Sequence, residues 1–166
     1  MPLTPATEAD LAEMRRQLGR PMRNVVAIAA RCVCGNPVVV QTQPRLDDGT
    51  PFPTVYYLTH RAATASMSRL EAGQMMVELQ DRLAVEPELA AAYQAAHEAY
   101  LADRALLGEV AEVAGISAGG MPTRVKCLHA LAAHALAAGP GVNPIGDIAL
   151  ARADWSPQVC ACILDD

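Results

Sequence analysis

The chain has 166 residues, a net charge of −5 and 52% hydrophobic residues, enough apolar surface for one core in a single domain over residues 1–166. The acidic balance argues against general nucleic-acid binding, and aromatics at only 4% leave few rings to stack on bases. No apolar run approaches the ~18 residues that mark a membrane span, the N-terminus lacks a basic-then-apolar signal pattern, and five cysteines, an odd number, read as reduced thiols of a cytoplasmic protein.

In chain order, Thr4-Pro5 reads as a helix start, with Leu11, Met14 and Leu18 at helical spacing and Gly19 closing the helix. Asn24 to Val33, carrying Val25, Val26 and Ile28, reads as a strand; Cys34 to Pro37 is a turn and Val38 to Thr42 its hairpin partner. Alternate residues of a strand share a face, so Cys32 and Cys34 point the same way. Such a pair serves as metal ligands, as a redox couple or as two idle thiols. A second C-x-C, Cys160 and Cys162, lies in a short tail over residues 152–166, and a four-thiolate site drawn from both pairs stays open.

Pro44 to Pro53 is a loop with Phe52 as a plug into the core, and Thr54 to Leu58 is a third strand. Thr59 caps a helix over His60 to Ala72. His60 therefore stands at a strand-to-helix junction, where the helix dipole favours the neutral imidazole that a metal needs; capping is its other reading. Glu71 lies near the helix end, where an acid is disfavoured, and needs a cation partner. Helices follow over Gln74 to Val85, with Met75, Met76, Leu79 and Leu83 inward, and from Glu86-Pro87 to about Leu107, with Tyr93 and Tyr100 partly buried. Glu109 to Ala114 is a short helical turn.

The stretch from Gly119 to Gly146, GGMPTRVKCLHALAAHALAAGPGVNPIG, concentrates the chemistry. Gly119 and Gly120 suit a sharp turn, and the Ala/Leu-rich run from Arg124 to Ala138 is a helix ended by Gly139 and Pro140. Arg124 and Lys126 in its first turn, beside the Gly-Gly turn, read either as solvated cations or as an anion site, to which Asn143 of the exit loop adds a donor. On a regular helix Cys127 and His129 face opposite sides, and Cys127 and His134 are ~10.5 Å apart along the axis, too far to share a metal bound at ~2.0–2.3 Å. If the helix starts only after Cys127, Cys127 and His129 can pair. His129 and His134 are the candidate general acid or base. Ile148 to Ala151 reads as a final short strand and Trp155 as the residue that packs the tail down.

The strings RCVCGNPVVVQTQPRLDDGTPFPTVYYLTHRAATASMSRLEAG and VKCLHALAAHALAAGPGVNPIGD, spanning Arg31 to Asp147, resemble the two signatures of the bacterial family called domain of unknown function 501. The resemblance implies a family core over residues 31–147 in a small cytoplasmic bacterial protein. It also implies a cysteine, in many members, where this chain has His60, which fits a ligand role there and disfavours cysteine-specific chemistry at that position.

The expected fold is α+β: an antiparallel sheet of two or three strands near the N-terminus, packed against four or five helices. The expected metal set is Cys32, Cys34, His60 and Cys127, holding zinc or another transition metal, with Gly119, Gly120, Arg124, Lys126 and Asn143 binding an anion nearby. The function expected is a metal- or thiol-assisted enzyme on a small anionic substrate, phosphate-bearing compounds included. The alternative is a non-catalytic interaction module with structural Cys and His residues. Association with a second copy of the chain stays open.

Overall fold

The computed structural model describes residues 2–162. Its sheet is fully antiparallel in the order β1-β2-β3-β4: Thr4–Pro5, Val25–Arg31, Pro37–Thr42 and Tyr56–Leu58. The helices are α1 (Glu8–Leu18), α2 (Arg61–Ala72), α3 (Met75–Val85), α4 (Pro87–Ala105), α5 (Leu128–Ala138) and α6 (Pro144–Arg152), with one 3-10 turn at Ala111–Val113. The class is α+β as expected, but the described residues form four strands and six helices rather than two or three strands and four or five helices.

Two local misreadings account for most of the difference. Thr4-Pro5 starts no helix, because Thr4 lies opposite Ile28 and Pro5 opposite Ala27 as an edge strand. Helix α1 begins three residues later, where Thr7 and Asp10 close a reciprocal capping box. Ile148 to Ala151 is no strand; it belongs to α6, whose N-cap is Asn143 and whose first residue is Pro144. Phe52, expected to plug the core, is half-buried.

Every residue of β3 is buried, because helices cover the sheet on both faces. On one face α1 lays Met14 against Ile28 and Val40. Asp10 of α1 pairs with Arg31 at the end of β2 at 2.7 Å, and the hydrogen bond from that guanidinium holds the Asp10 carboxyl well below the usual carboxylate range. On the other face lies the main core, built from Val39, Leu58, Met67, Leu79, Tyr93, Tyr100, Leu128, Leu131 and Ile145 around α5. The α5 sequence LHALAAHALAA is apolar nearly all round, which is the pattern of a helix enclosed on every side. Helix α6 crosses it at Gly146, where an added Cβ would collide with the backbone of Leu131 and the side chain of Ala135. Only a glycine permits that approach. No helix among the described residues is long and apolar enough to cross a membrane.

Candidate functional site

Helix α5 starts at Leu128, with Cys127 as its N-cap in extended backbone, so Arg124 and Lys126 lie in the preceding loop and not in a first helical turn. The loop folds on itself: the Arg124 N–H donates to the Gly120 carbonyl and the Lys126 N–H to the Gly119 carbonyl, each at 2.8 Å. Gly120 has φ +95°, and a Cβ there would press on the Arg124 backbone. The side chains of Arg124 and Lys126 are exposed. The acceptor at the α5 N-terminus is a carboxylate of the protein itself: the Leu128 N–H donates to Glu71 Oε1 at 2.8 Å. Glu71 thus ends α2, where its charge is disfavoured, in order to begin α5, where it is favoured.

The same carboxylate reaches His129, whose Nδ1 lies 3.1 Å from Glu71 Oε1. His129 Nε2 lies 3.1 Å from the Thr64 carbonyl and 3.2 Å from Ser68 Oγ. A carboxylate and a carbonyl can only accept, so both ring nitrogens carry hydrogens and the ring is a cation. Its pKa is raised to about 9: the hydrogen bond with Cys127 raises it most, burial opposes, and the Glu71 charge adds to the rise. For Cys127, burial pushes the thiol up, but the hydrogen bond with His129 and a backbone N–H outweigh it, and the net shift is downward. One oxygen of Glu71, one ring nitrogen of His129 and the Cys127 sulfur lie within 4.8 Å of one another. With both His129 nitrogens engaged as donors, the trio is an imidazolium between a carboxylate and a thiol of lowered pKa rather than a set of free lone pairs.

Cys127 and His129 line a cleft of about 640 Å³ whose wall also includes Thr64, Ser68 and Arg61. Tyr56, Tyr57, Leu58, Ala65 and Ala130 supply much of its apolar surface. Arg61 is exposed and has no ion pair among the described residues.

A second cluster lies elsewhere. The sulfurs of Cys32, Cys34, Cys160 and Cys162 all fall within 4.8 Å of one another, a group that could hold a metal ion. Cys34 and Cys162 are 3.4 Å apart. His60, the N-cap of α2, accepts the Ala63 N–H at Nδ1 and places Nε2 at 3.0 Å from the Cys162 sulfur. Burial holds its pKa below the ordinary value. The expected convergence of Cys32, His60 and Cys127 is therefore corrected: Cys32 and Cys34 meet the tail thiols beside His60, while Cys127 pairs with His129 and Glu71.

His134 and Asn143 sit in the core, fully buried. His134 stacks on Tyr56 with ring centroids 5.9 Å apart and meets Tyr100 edge-on at 5.0 Å. Asn143 donates from Nδ2 to His134 Nδ1 at 3.1 Å, while its Oδ1 accepts the Gly146 N–H and caps α6. Accepting at Nδ1 leaves the hydrogen of neutral His134 on Nε2, which has no hydrogen-bond partner among the described residues. Burial lowers its pKa to about 4. Of the two histidines proposed as acid or base, only His129 reaches the cleft. Asn143 is an internal cap rather than an anion donor at the surface.

Sequence reasoning passed over Glu71 and Arg61 as site residues. The signal for Glu71 was its position at the wrong end of a helix; for Arg61 it was adjacency to His60 at the strand-to-helix junction. No curated protein and no solved structure matches the chain at a significant level. A family model described as "Protein of unknown function (DUF501)" matches residues 28–151, about three-quarters of the 166 residues. By that match, the chain belongs to the DUF501 family.

Proposed function

We propose that this protein is a thiol-dependent enzyme acting on a small anionic acyl compound, with Cys127 as nucleophile. The observation that carries the reading is the Cys127–His129 pair on the wall of an accessible cleft, with Glu71 bonded to His129 behind it. A thiol is a strong nucleophile only as its thiolate, and a neighbouring imidazolium is the usual means of keeping it so. Glu71 orients the ring and balances its charge. In the acylation step the Cys127 sulfur bonds to the acyl carbon, the bond from that carbon to the leaving group breaks, and the leaving group takes a proton from His129. Water then adds to the thioester, giving its proton to neutral His129 and its hydroxyl to the acyl group, and the carboxylic acid leaves with the ion pair restored. Arg61, exposed on the cleft wall, supplies the positive charge for an anionic group on the substrate.

The test is intact-protein mass spectrometry after mixing with an activated mono-ester of succinate and, separately, an activated acetate ester. Wild type should gain one acyl mass that decays with time and maps to Cys127. Cys127→Ser should gain none, and Arg61→Ala should lose the preference for the anionic ester. Acylation that is unchanged in Cys127→Ser would reject the reading. The interaction module would then be the better account, with the exposed Val77 and Val85 of α3 as its surface.

A further inference from the structure

We infer that Cys32, Cys34, Cys160 and Cys162 bind a single zinc ion that clasps the C-terminal tail onto the β2–β3 hairpin. The hairpin half is fixed by its own backbone. The Cys32 N–H donates to the Asn36 carbonyl at 2.9 Å and the Gly35 N–H to the Cys32 carbonyl at 2.8 Å, a closed turn that presents two sulfurs from one loop. Gly35 makes that turn with φ +95°.

The tail half has no such support. Residues 153–162 form neither helix nor strand. Besides the Cys162 contacts, they are held by Trp155, which is buried, by Asp154, which bonds to Ser66 and Arg69, and by the Pro157 carbonyl, which accepts the Val33 N–H at 2.8 Å. Beyond Pro157, the two tail cysteines reach the hairpin turn. A tetrahedral zinc with Zn–S bonds of ~2.3 Å needs sulfurs ~3.8 Å apart. Four sulfurs within 4.8 Å, two of them 3.4 Å apart, are already at that spacing.

Crowding four sulfurs at the end of an irregular tail has no hydrophobic explanation, because Cys34 and Cys160 are exposed. The exposure also gives a metal a way in. His60 fits as a partner of the site and not as a ligand. Its Nδ1 is engaged by the Ala63 N–H, so Nε2 carries the hydrogen and donates it to the Cys162 sulfur. Such N–H donation to a ligand sulfur is a recurring support of metal–thiolate sites. Four protein ligands close the coordination sphere, so the metal's role is structural, and its binding energy goes into folding the tail. None of the four cysteines lines the cleft, which makes this inference independent of the proposed chemistry at Cys127.

The experiment is elemental analysis of protein made without an affinity tag and kept reduced, followed by replacement of zinc with cobalt. Wild type should carry one zinc per chain, and the cobalt form should show the sulfur-to-cobalt charge-transfer and d–d bands of a tetrahedral four-thiolate site. Cys160→Ser with Cys162→Ser should cut the zinc content at least tenfold, and Cys127→Ser should leave it unchanged. Chelation of the wild-type metal should expose residues 153–162 to proteolysis. A chain that stays metal-free after reconstitution with zinc, an octahedral cobalt spectrum, or zinc retained in the double variant would each overturn the inference. If the double variant does not fold, the wild-type cobalt spectrum decides alone.

Discussion

His129 and His134 occupy one helix, α5, yet their rings are in opposite states. His129, at the open end, faces a carboxylate, a carbonyl and the Cys127 sulfur, and is held charged up to about pH 9. His134, at the closed end, lies between two tyrosines with an amide on Nδ1, and burial keeps it neutral down to about pH 4. The side chain and the helix are the same; acceptors around a ring make it a cation, and aromatic walls make it a neutral packing group. The first state is suited to catalysis and the second to holding a core together.

The comparison breaks most severely at the closed end. His134→Ala leaves a cavity between Tyr56 and Tyr100 and an unpaired Asn143 amide, and should cost about 3–4 kcal/mol in urea unfolding. A loss below about 1 kcal/mol would show that the buried ring is dispensable.

Acid should produce a similar change without mutation. A pKa depressed to about 4 means that the unfolded chain takes up a proton below about pH 6.5 while the folded chain does not. Stability therefore falls as pH drops from about 6.5 to 4, by about 3 kcal/mol from this group. At the open end the sign reverses: the stability contributed by charged His129 is present below about pH 6.5 and lost as pH rises through about 9. Unfolding curves of His134→Phe and His129→Gln against wild type should each flatten one arm, the acid arm for the first and the alkaline arm for the second. Identical arms in all three proteins would remove the basis of the contrast.

The smallest effect is kinetic. His129→Gln removes the cation beside the sulfur, and alkylation of Cys127 by iodoacetamide at pH 7 should slow about tenfold, read by timed mass spectrometry. His134→Phe should leave that rate unchanged. A rate that responds equally to both substitutions would mean that the two ends of α5 are not separate environments.

Much of this arrangement is readable in the chain, and the unread parts share a cause. The hairpin carrying Cys32 and Cys34, the junction at His60 and the Gly139 stop of α5 follow from local turn and cap chemistry. The reading of α5 from Arg124 starts four residues early, because the first helical N–H, that of Leu128, is satisfied by Glu71 from another helix, which no local pattern shows. β1 was misread because its two residues are decided by Ile28 and Ala27, distant in sequence. α6 was readable, since Asn143-Pro144 is a good helix start, but the short apolar run that follows resembles a strand. The approach of Cys162 to Cys34 closes a separation of 128 residues, which no local pattern encodes.

The strand lengths described above bear on how copies of this chain can meet. The outer strands, β1 and β4, have only two and three residues, and one of the two in β1 is a proline without an N–H. The long strands β2 and β3 lie between them. Neither of these outer strands offers more than three residues of ladder, so each is itself poor ground for fibrous stacking.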